Sequence, residues 1–184
     1  LPICKASRSF FSFQSFTHPP GIYELSLADA SLKLVHEPEV AFQPDAFVTR
    51  QVAFQSPDGT RIPMFLVHKP GITLDGGNPT YLYGYGGFNI SLKPRFSPAT
   101  IAWLEIGGLY AQPPLRGGGE FGRDWHQAGM PQPKQVAFDD FLAAAEDLLR
   151  TDSTSNHRLP VGRVSSAVPL VAARLTPRPP LSAP

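Results

Sequence analysis

Short hydrophobic runs bounded by turn residues dominate the first third of the chain. Runs of aromatic and β-branched residues at 9–13 and 21–25 flank a Pro-Pro-Gly turn, a pattern typical of β-strands. Residues 48–54 and 61–68 have the same character. They are separated by turn residues from Pro57 to Thr60, where proline presets φ and glycine accepts a positive φ. This region is therefore predicted to contain short strands, the last two forming a hairpin.

The middle of the chain changes to a mixed pattern. A short apolar strand at 80–83 precedes a helix that Ser97 opens as N-cap, with proline at its first position and two glycines after its end. A second short strand at 109–111 precedes residues 138–150, whose apolar side chains recur at i, i+3 and i+4. Two aspartates near the start of that segment are expected to stabilise a helix N-terminus. Strand, helix, strand, helix predicts an α/β layer with parallel strands.

Composition and charge restrict the classes of function. Sixteen Lys and Arg residues against fifteen Asp and Glu leave a net charge of +1, so no basic surface for nucleic acid is expected. The single cysteine, Cys4, excludes an internal disulfide framework and a multi-cysteine metal site, and favours a reducing compartment such as the cytoplasm. The first 25 residues lack the long apolar run of a signal peptide or membrane span, so no membrane partner is expected.

The end of the chain differs in composition from the rest. All 20 aromatic residues lie at or before Phe141, whereas 160–184 contains no aromatic residue, six prolines and three arginines. Because proline blocks helices and removes strand donors, we expect 160–184 to be an aberrant, disordered tail. The chain begins at Leu1 rather than Met, and we interpret it as a piece of something larger.

Two glycine-rich loops are the candidates for chemistry, and the first spans 83–89. Three glycines within five positions after a strand require a sharp turn or a close approach of the backbone. The spacing fits neither a P-loop nor a dinucleotide fingerprint. Two interpretations remain open: a tight surface turn, or a site in which a rigidly held tyrosine hydroxyl acts as an oxyanion donor beside a phenylalanine that lines an apolar pocket.

The second loop spans 116–122 and ends close to a histidine. Arg116 and Glu120 are predicted to pair across the loop as scaffolding. His126, beside Trp125, is predicted to be packed and hydrogen-bonded rather than catalytic. No spacing of His, Asp and Glu here matches a metal site.

Five stretches carry a resemblance to a known family: 56–69, 78–91, 116–122, 125–126 and 138–141. Together they resemble the prolyl oligopeptidase family, and the similarity covers about residues 9–159. The resemblance implies a seven-bladed β-propeller paired with an α/β-hydrolase domain. Members cleave short peptides after proline with a Ser-Asp-His triad and need no cofactor or metal.

The resemblance also implies a division of the chain. Residues 1–45 are expected to be the end of the β-propeller and a linker, and 46–159 the N-terminal part of an α/β-hydrolase domain, followed by the tail at 160–184. The fold class expected is therefore α/β. The full-length protein is expected to be a monomer whose partners are short proline-containing peptides.

Site residues follow from the same resemblance. Tyr85 corresponds to the oxyanion-hole hydroxyl, and Phe88 to a residue that forms the pocket for the substrate's proline ring. An ungapped continuation places the nucleophile at Ser165 and the second oxyanion donor at the backbone N–H of Ser166. No residue is expected to bind a metal.

The sequence departs from the family pattern after residue 159. A nucleophile elbow needs glycine two positions before and after the serine, because the turn is strained, and this chain has Arg163 and Ala167 there. No later residue matches the triad Asp or His. Two functions are therefore considered: a serine endopeptidase of the prolyl oligopeptidase type that acts through an acyl-enzyme, inactive as this chain alone, and a non-catalytic pseudoenzyme or interaction fragment.

Overall fold

The computed structural model describes residues 7–130 and 135–162. Three strands near the start form an antiparallel sheet in the order β1-β2-β3: β1 (Arg8–Phe13), β2 (Gly21–Ser26) and β3 (Leu32–His36). The predicted strands on either side of the Pro-Pro-Gly turn are confirmed as β1 and β2. Every residue of the two outer strands is exposed, so this sheet is covered on neither face by the described part of the chain.

A second sheet follows, in the order β4-β5-β7-β6: β4 (Val48–Gln55), β5 (Arg61–His68), β6 (Thr80–Leu82) and β7 (Leu109–Gln112). The first two strands pair antiparallel over their full length, which confirms the predicted hairpin. β7 runs antiparallel to β5 and parallel to β6. The prediction of parallel strands is therefore confirmed for β6 and β7, which a helical crossover connects.

The described helices are α1 (Pro98–Glu105), α2 (Arg123–Ala128) and α3 (Gln135–Arg150), with 3-10 turns at Pro44–Ala46 and Asn156–Arg158. The Ser97 side chain accepts a hydrogen bond from the backbone N–H of Thr100, as expected for the N-cap of α1. Among the described residues, no helix has the length and apolar character needed to cross a bilayer.

The long helix begins earlier than its apolar pattern predicted. It is described from Gln135 rather than from Phe138, so Asp139 and Asp140 lie beyond its first turn. The expectation that both carboxylates stabilise the helix N-terminus is therefore wrong. Asp140 is fully buried, and the guanidinium of Arg116 binds it. This ion pair offsets the cost of burying the carboxylate far more than a distant helix end could.

The second sheet lies between α1 and α3, and alternate residues of its strands face each helix. In β7, Leu109 and Ala111 join the core that includes α3, whereas Tyr110 joins the core that includes α1. Phe16, from the segment between β1 and β2, packs edge-to-face on Phe65 with ring centroids 5.5 Å apart. The two sheets share no strand pairing, yet this segment of chain contacts the second sheet.

A further piece of parallel pairing occurs at the end of the described chain. Val161 bridges to Leu82, whose N–H donates to the carbonyl oxygen of Pro160 over 3.1 Å, and the N–H of Gly162 donates back to Leu82 over 2.8 Å. Ordered pairing therefore extends into the first three residues of the predicted tail. Proline is tolerated there because Pro160 contributes only its carbonyl group. The remainder of that tail, 163–184, lies outside the described residues.

Candidate functional site

The first glycine loop leaves the carboxyl end of β6 and packs closely on its neighbours. In the structure this loop continues past residue 89, and from here on the name covers residues 83–92. A Cβ added at Gly84 would lie 2.8 Å from the Phe141 ring, and one at Gly86 would lie 2.8 Å from the carbonyl oxygen of Arg116. Side chains at either position would force the loop away from the core. These two glycines serve close packing. The interpretation as a tight surface turn holds only for residues 87–90, a turn whose last three residues are exposed and which a bond of 3.1 Å from the N–H of Ile90 to the carbonyl oxygen of Gly87 closes.

Tyr85 and Phe88 lie on this loop in different surroundings. Tyr85 is half-buried, and its backbone bridges in parallel to Pro114. Phe88 is 71% exposed. Phe88 and the next residue, Asn89, have φ angles of 52° and 56°, in the left-handed region. Such conformations cost on the order of 1–3 kcal/mol each in non-glycine residues and persist only where surrounding structure imposes them.

The second glycine loop supplies that surrounding structure. The N–H of Asn89 donates to the carbonyl oxygen of Gly117 over 3.1 Å, and a Cβ at Gly119 would lie 2.7 Å from the carbonyl oxygen of Asn89. The N–H of Leu92 donates to Oε1 of Glu120 over 2.7 Å. The first loop is thus docked on the second by backbone contact and by one carboxylate.

Arg116, at the start of the second loop, lies at the centre of a buried polar cluster. Its Nε donates to Oδ2 of Asp140 over 2.9 Å, and its Nη2 donates to Ser56 Oγ over 3.1 Å. Its Nη1 donates to Asp58 and, over 3.1 Å, to Thr60 Oγ1. This cluster joins the loop to α3 and to the turn of the β4–β5 hairpin.

The charges in this cluster shift the ionisation of its members. Hydrogen bonding to Asp140 raises the pKa of Arg116, and the Arg116 guanidinium holds the pKa of Asp58 well below its usual range. The predicted Arg116–Glu120 pair is wrong. The buried Asp140 carboxylate accepts both from the Arg116 side chain and from its backbone N–H, while Glu120 binds Leu92 instead.

Glu120 is a half-buried carboxylate with two unlike oxygens. Oε1 accepts from Leu92, whereas Oε2 is buried and has no hydrogen-bond partner among the described residues. Burial raises the pKa of Glu120, because the charged form is more costly to remove from water than the neutral acid.

His126 and Trp125 support the second loop from α2. Nδ1 of His126 donates to the carbonyl oxygen of Gly117 over 2.8 Å, and Nε1 of Trp125 donates to that of Leu115 over 3.1 Å. The prediction that His126 is packed and hydrogen-bonded is confirmed. In residues 7–130 and 135–162 no group of three or more His, Cys, Asp or Glu side chains is arranged to hold a metal ion.

Ser165 and Ser166 lie outside the described residues, as do Arg163 and Ala167. The described chain ends at Gly162, which pairs beside Leu82 and runs in the same direction as β6. Both segments therefore point toward the edge of the sheet from which Tyr85 and its loop leave.

Sequence reasoning missed the polar cluster around Arg116. The sequence marks Asp58 and Thr60 only as turn residues, Ser56 only as part of a stretch that resembles the family, and Asp140 only as a helix-end acid. Because 24 residues separate Arg116 from Asp140 and 58 separate it from Asp58, spacing along the chain gave no indication that these groups meet.

Comparison with known proteins agrees with these features. Residues 94–163 match the model of the prolyl oligopeptidase family. The prolyl endopeptidase of Elizabethkingia miricola is 44% identical over 173 residues, which cover 94% of this chain and 24% of the relative. The chain is similar to members of the prolyl oligopeptidase family over nearly its whole length.

Solved structures of family members are similar to this chain. A prolyl endopeptidase studied for the role of inter-domain dynamics matches with a TM-score of 0.81 and 41% identity, covering 88% of this chain and 24% of that one. Prolyl oligopeptidase B from Galerina marginata, bound to a 25mer macrocyclization substrate, matches with a TM-score of 0.79 and 34% identity, covering 85% and 22%. The chain spans about a quarter of the length of the curated relatives it matches.

Proposed function

We propose that this chain is part of a serine endopeptidase that cleaves short proline-containing peptides after proline through an acyl-enzyme. The observation that carries the proposal is the clamped loop at the carboxyl end of β6, which places Tyr85 and Phe88 in a fixed, partly left-handed backbone. Similarity to the prolyl oligopeptidase family supports the same activity.

In this proposal each loop residue has a separate task. The Tyr85 hydroxyl donates a hydrogen bond to the oxygen that becomes negative as the tetrahedral intermediate forms. A donor held in place before the reaction lowers the barrier by about 2.7–4 kcal/mol in comparable enzymes. Phe88 offers an apolar wall to the rigid proline ring of the substrate.

The nucleophile in this proposal is Ser165, with the backbone N–H of Ser166 as the second oxyanion donor. Support comes from the isolated bridge between Val161 and Leu82, where the chain runs parallel to β6 toward the edge at which Tyr85 lies. In α/β sheets the catalytic groups gather at the carboxyl ends of the strands, and the nucleophilic serine sits on a strand-to-helix turn.

We also propose the domain division that accompanies this activity. Residues 1–45 are the end of a β-propeller and its linker, and 46–159 are part of an α/β-hydrolase domain. The absence of strand pairing between the two sheets supports the division, as does a mixed sheet with α1 and α3 on opposite faces. In the same proposal the full-length protein is a cytoplasmic monomer without nucleic-acid or membrane partners.

A second candidate is a non-catalytic remnant that keeps half of the hydrolase fold. Arg163 and Ala167 favour it, because they stand where a nucleophile elbow has glycine. We propose the peptidase as the identity of the parent protein and inactivity as the behaviour of this chain alone.

A chimera tests the proposed activity. Residues 9–159 of this chain replace the aligned segment of the E. miricola prolyl endopeptidase, which supplies its own residues beyond that segment. We expect cleavage after proline to persist. A chimera that folds, as judged by circular dichroism and gel filtration, but does not cleave a Gly-Pro fluorogenic amide would contradict the proposal.

A further inference from the structure

The side chain of Glu120 contacts the backbone of the first glycine loop shortly after Phe88. Its Oε1 accepts the N–H of Leu92 at 2.7 Å, the distance of a charge-assisted hydrogen bond. Leu92 lies four positions after Phe88, so this bond fixes the loop close to the exposed aromatic ring.

The segment between these two residues is strained. Phe88 and Asn89 have φ angles of 52° and 56°, which β-carbon-bearing residues adopt only when neighbouring structure imposes them. One tether, the N–H of Asn89 to the carbonyl oxygen of Gly117, lies immediately after Phe88. A bond of 3.1 Å from the N–H of Ile90 to the carbonyl oxygen of Gly87 closes the turn that contains the pair, and Glu120 fixes the chain two residues beyond that turn.

The surroundings of the carboxylate are also shaped for it. A Cβ added at Gly118 would collide with Oε2 of Glu120, so glycine at this position leaves the space that the carboxylate occupies. Oε2 is buried without a hydrogen-bond partner among the described residues. The loop therefore accepts an unfavourable burial of one oxygen while the other oxygen binds Leu92.

We propose that Glu120 is a positioning residue that holds Phe88 in its left-handed conformation through the bond to Leu92, and so sets the apolar wall of the substrate site. The substrate role rests on the function proposed above, whereas the conformational role does not. Glu120 acts through the backbone, and it neither touches the substrate nor takes part in proton transfer.

The full 184-residue chain, labelled with ¹⁵N, tests the conformational role by NMR. In Glu120→Ala we expect the Leu92 amide to exchange about tenfold faster or more, the loss typical of a hydrogen bond to a charged group. The three-bond HN–Hα couplings of Phe88 and Asn89 should move away from their left-handed values. Gly118→Ala, which displaces the carboxylate without removing it, should produce the same changes.

Two controls separate positioning from general stability. Glu120→Gln keeps an acceptor for Leu92 and should retain the wild-type couplings. Glu146→Ala removes an exposed carboxylate on α3 and should change neither readout. Unchanged exchange at Leu92 in Glu120→Ala would overturn the proposal. Faster exchange spread evenly over the strands of the second sheet would overturn it too, because it would indicate a purely structural residue.

The chimera then tests the link to substrate binding. Glu120→Ala should raise KM for a proline substrate about tenfold while kcat changes less than twofold, because apolar contact with the proline ring is lost rather than charge stabilisation. An active chimera whose KM does not respond would overturn the substrate role of Glu120. If the NMR changes occur and no chimera cleaves at all, the proposed function fails while the conformational role of Glu120 stands.

Discussion

Arg116 and Asp140 form a buried ion pair that joins the second glycine loop to the long helix α3. Nε of Arg116 lies 2.9 Å from Oδ2 of Asp140, and the backbone N–H of Arg116 donates to the same oxygen over 3.2 Å. Ser56 Oγ donates to Oδ1 over 2.6 Å, so both carboxylate oxygens are satisfied. The second glycine loop, on which the first glycine loop docks, is thus fixed to α3 through the carboxylate of Asp140.

Removing that carboxylate should destabilise the chain strongly. Asp140→Ala leaves the buried Arg116 without its main partner, and breaking a buried pair in this way costs about 3–5 kcal/mol. Urea unfolding followed by tryptophan fluorescence measures the change. Asp139→Ala is the matched control, because Asp139 accepts only an exposed bond from Gln135, and it should cost less than about 0.5 kcal/mol. Equal losses in the two variants would contradict this account of the cluster.

The second prediction concerns acid stability and Asp58. Hydrogen bonding from Arg116 lowers the pKa of Asp58 in the folded chain. A lowered folded pKa gives stability that is present above the unfolded value of about 3.9 and is lost as the pH falls through the folded value. Asp58→Asn should therefore show a smaller loss of stability than the wild type below about pH 4. Urea midpoints measured from pH 2 to 6 check this, and identical slopes for both proteins would refute it.

The third prediction concerns Glu120, whose pKa shifts in the opposite direction from that of Asp58, so that its linked stability depends on pH in the opposite sense. Burial raises its pKa, so the linked stability is fully present below the unfolded value of about 4.3 and declines as the pH rises through the folded value. Glu120→Gln cannot ionise, so its stability should decline less between pH 4 and 7. The exposed variant Glu146→Gln should follow the wild type. A Glu120→Gln curve parallel to the wild-type curve would show that burial does not perturb this carboxyl.

Most of the regular structure could be predicted from the sequence because its determinants are local. The hairpin turn, the Ser97 cap and the apolar repeat of α3 each act over a few residues, and the structure contains all three elements. The contacts that organise the site are not local. The sequence places Asp140 at a helix terminus, because its partner Arg116 lies on a loop 24 positions earlier in the chain. The contact between Glu120 and Leu92 depends on how two loops dock. The family resemblance implies site roles for Tyr85 and Phe88, but it does not point to the groups that hold their loop.

The fourth prediction separates the roles of Tyr85 and Phe88 in the chimera. Tyr85→Phe should lower kcat by about 10²–10³-fold with little change in KM, because the hydroxyl acts on charge that develops only in the transition state. Phe88→Ala should mainly raise KM through lost apolar contact with the proline ring. Steady-state kinetics on a Gly-Pro amide measure both effects. Two variants that alter KM alone and to the same extent would contradict this division of roles.

The last prediction is that the 184-residue chain alone does not hydrolyse prolyl peptides. A serine hydroxyl is a weak nucleophile until a base oriented by a third group removes its proton. After Ser165 the chain contains no Asp, Glu or His, so neither partner follows in the order that this hydrolase fold uses. Subtilisin, an unrelated enzyme, keeps only about 10³–10⁴-fold acceleration over water without its triad, and this residual activity depends on an intact oxyanion hole and binding site.

The oxyanion donor proposed at Ser166 should be misplaced in this chain, because Arg163 and Ala167 occupy the positions where glycine lets the elbow form. A purified chain incubated with a fluorogenic Gly-Pro amide should therefore give the same rate as buffer, and Ser165→Ala should give that rate too. Turnover that Ser165→Ala abolishes would mean that the elbow forms despite these residues and that a base comes from elsewhere in the chain. Turnover that survives Ser165→Ala would assign the activity to another nucleophile or to a contaminating peptidase. A fluorophosphonate probe distinguishes the two, because it labels the chain only if the chain itself carries the nucleophile.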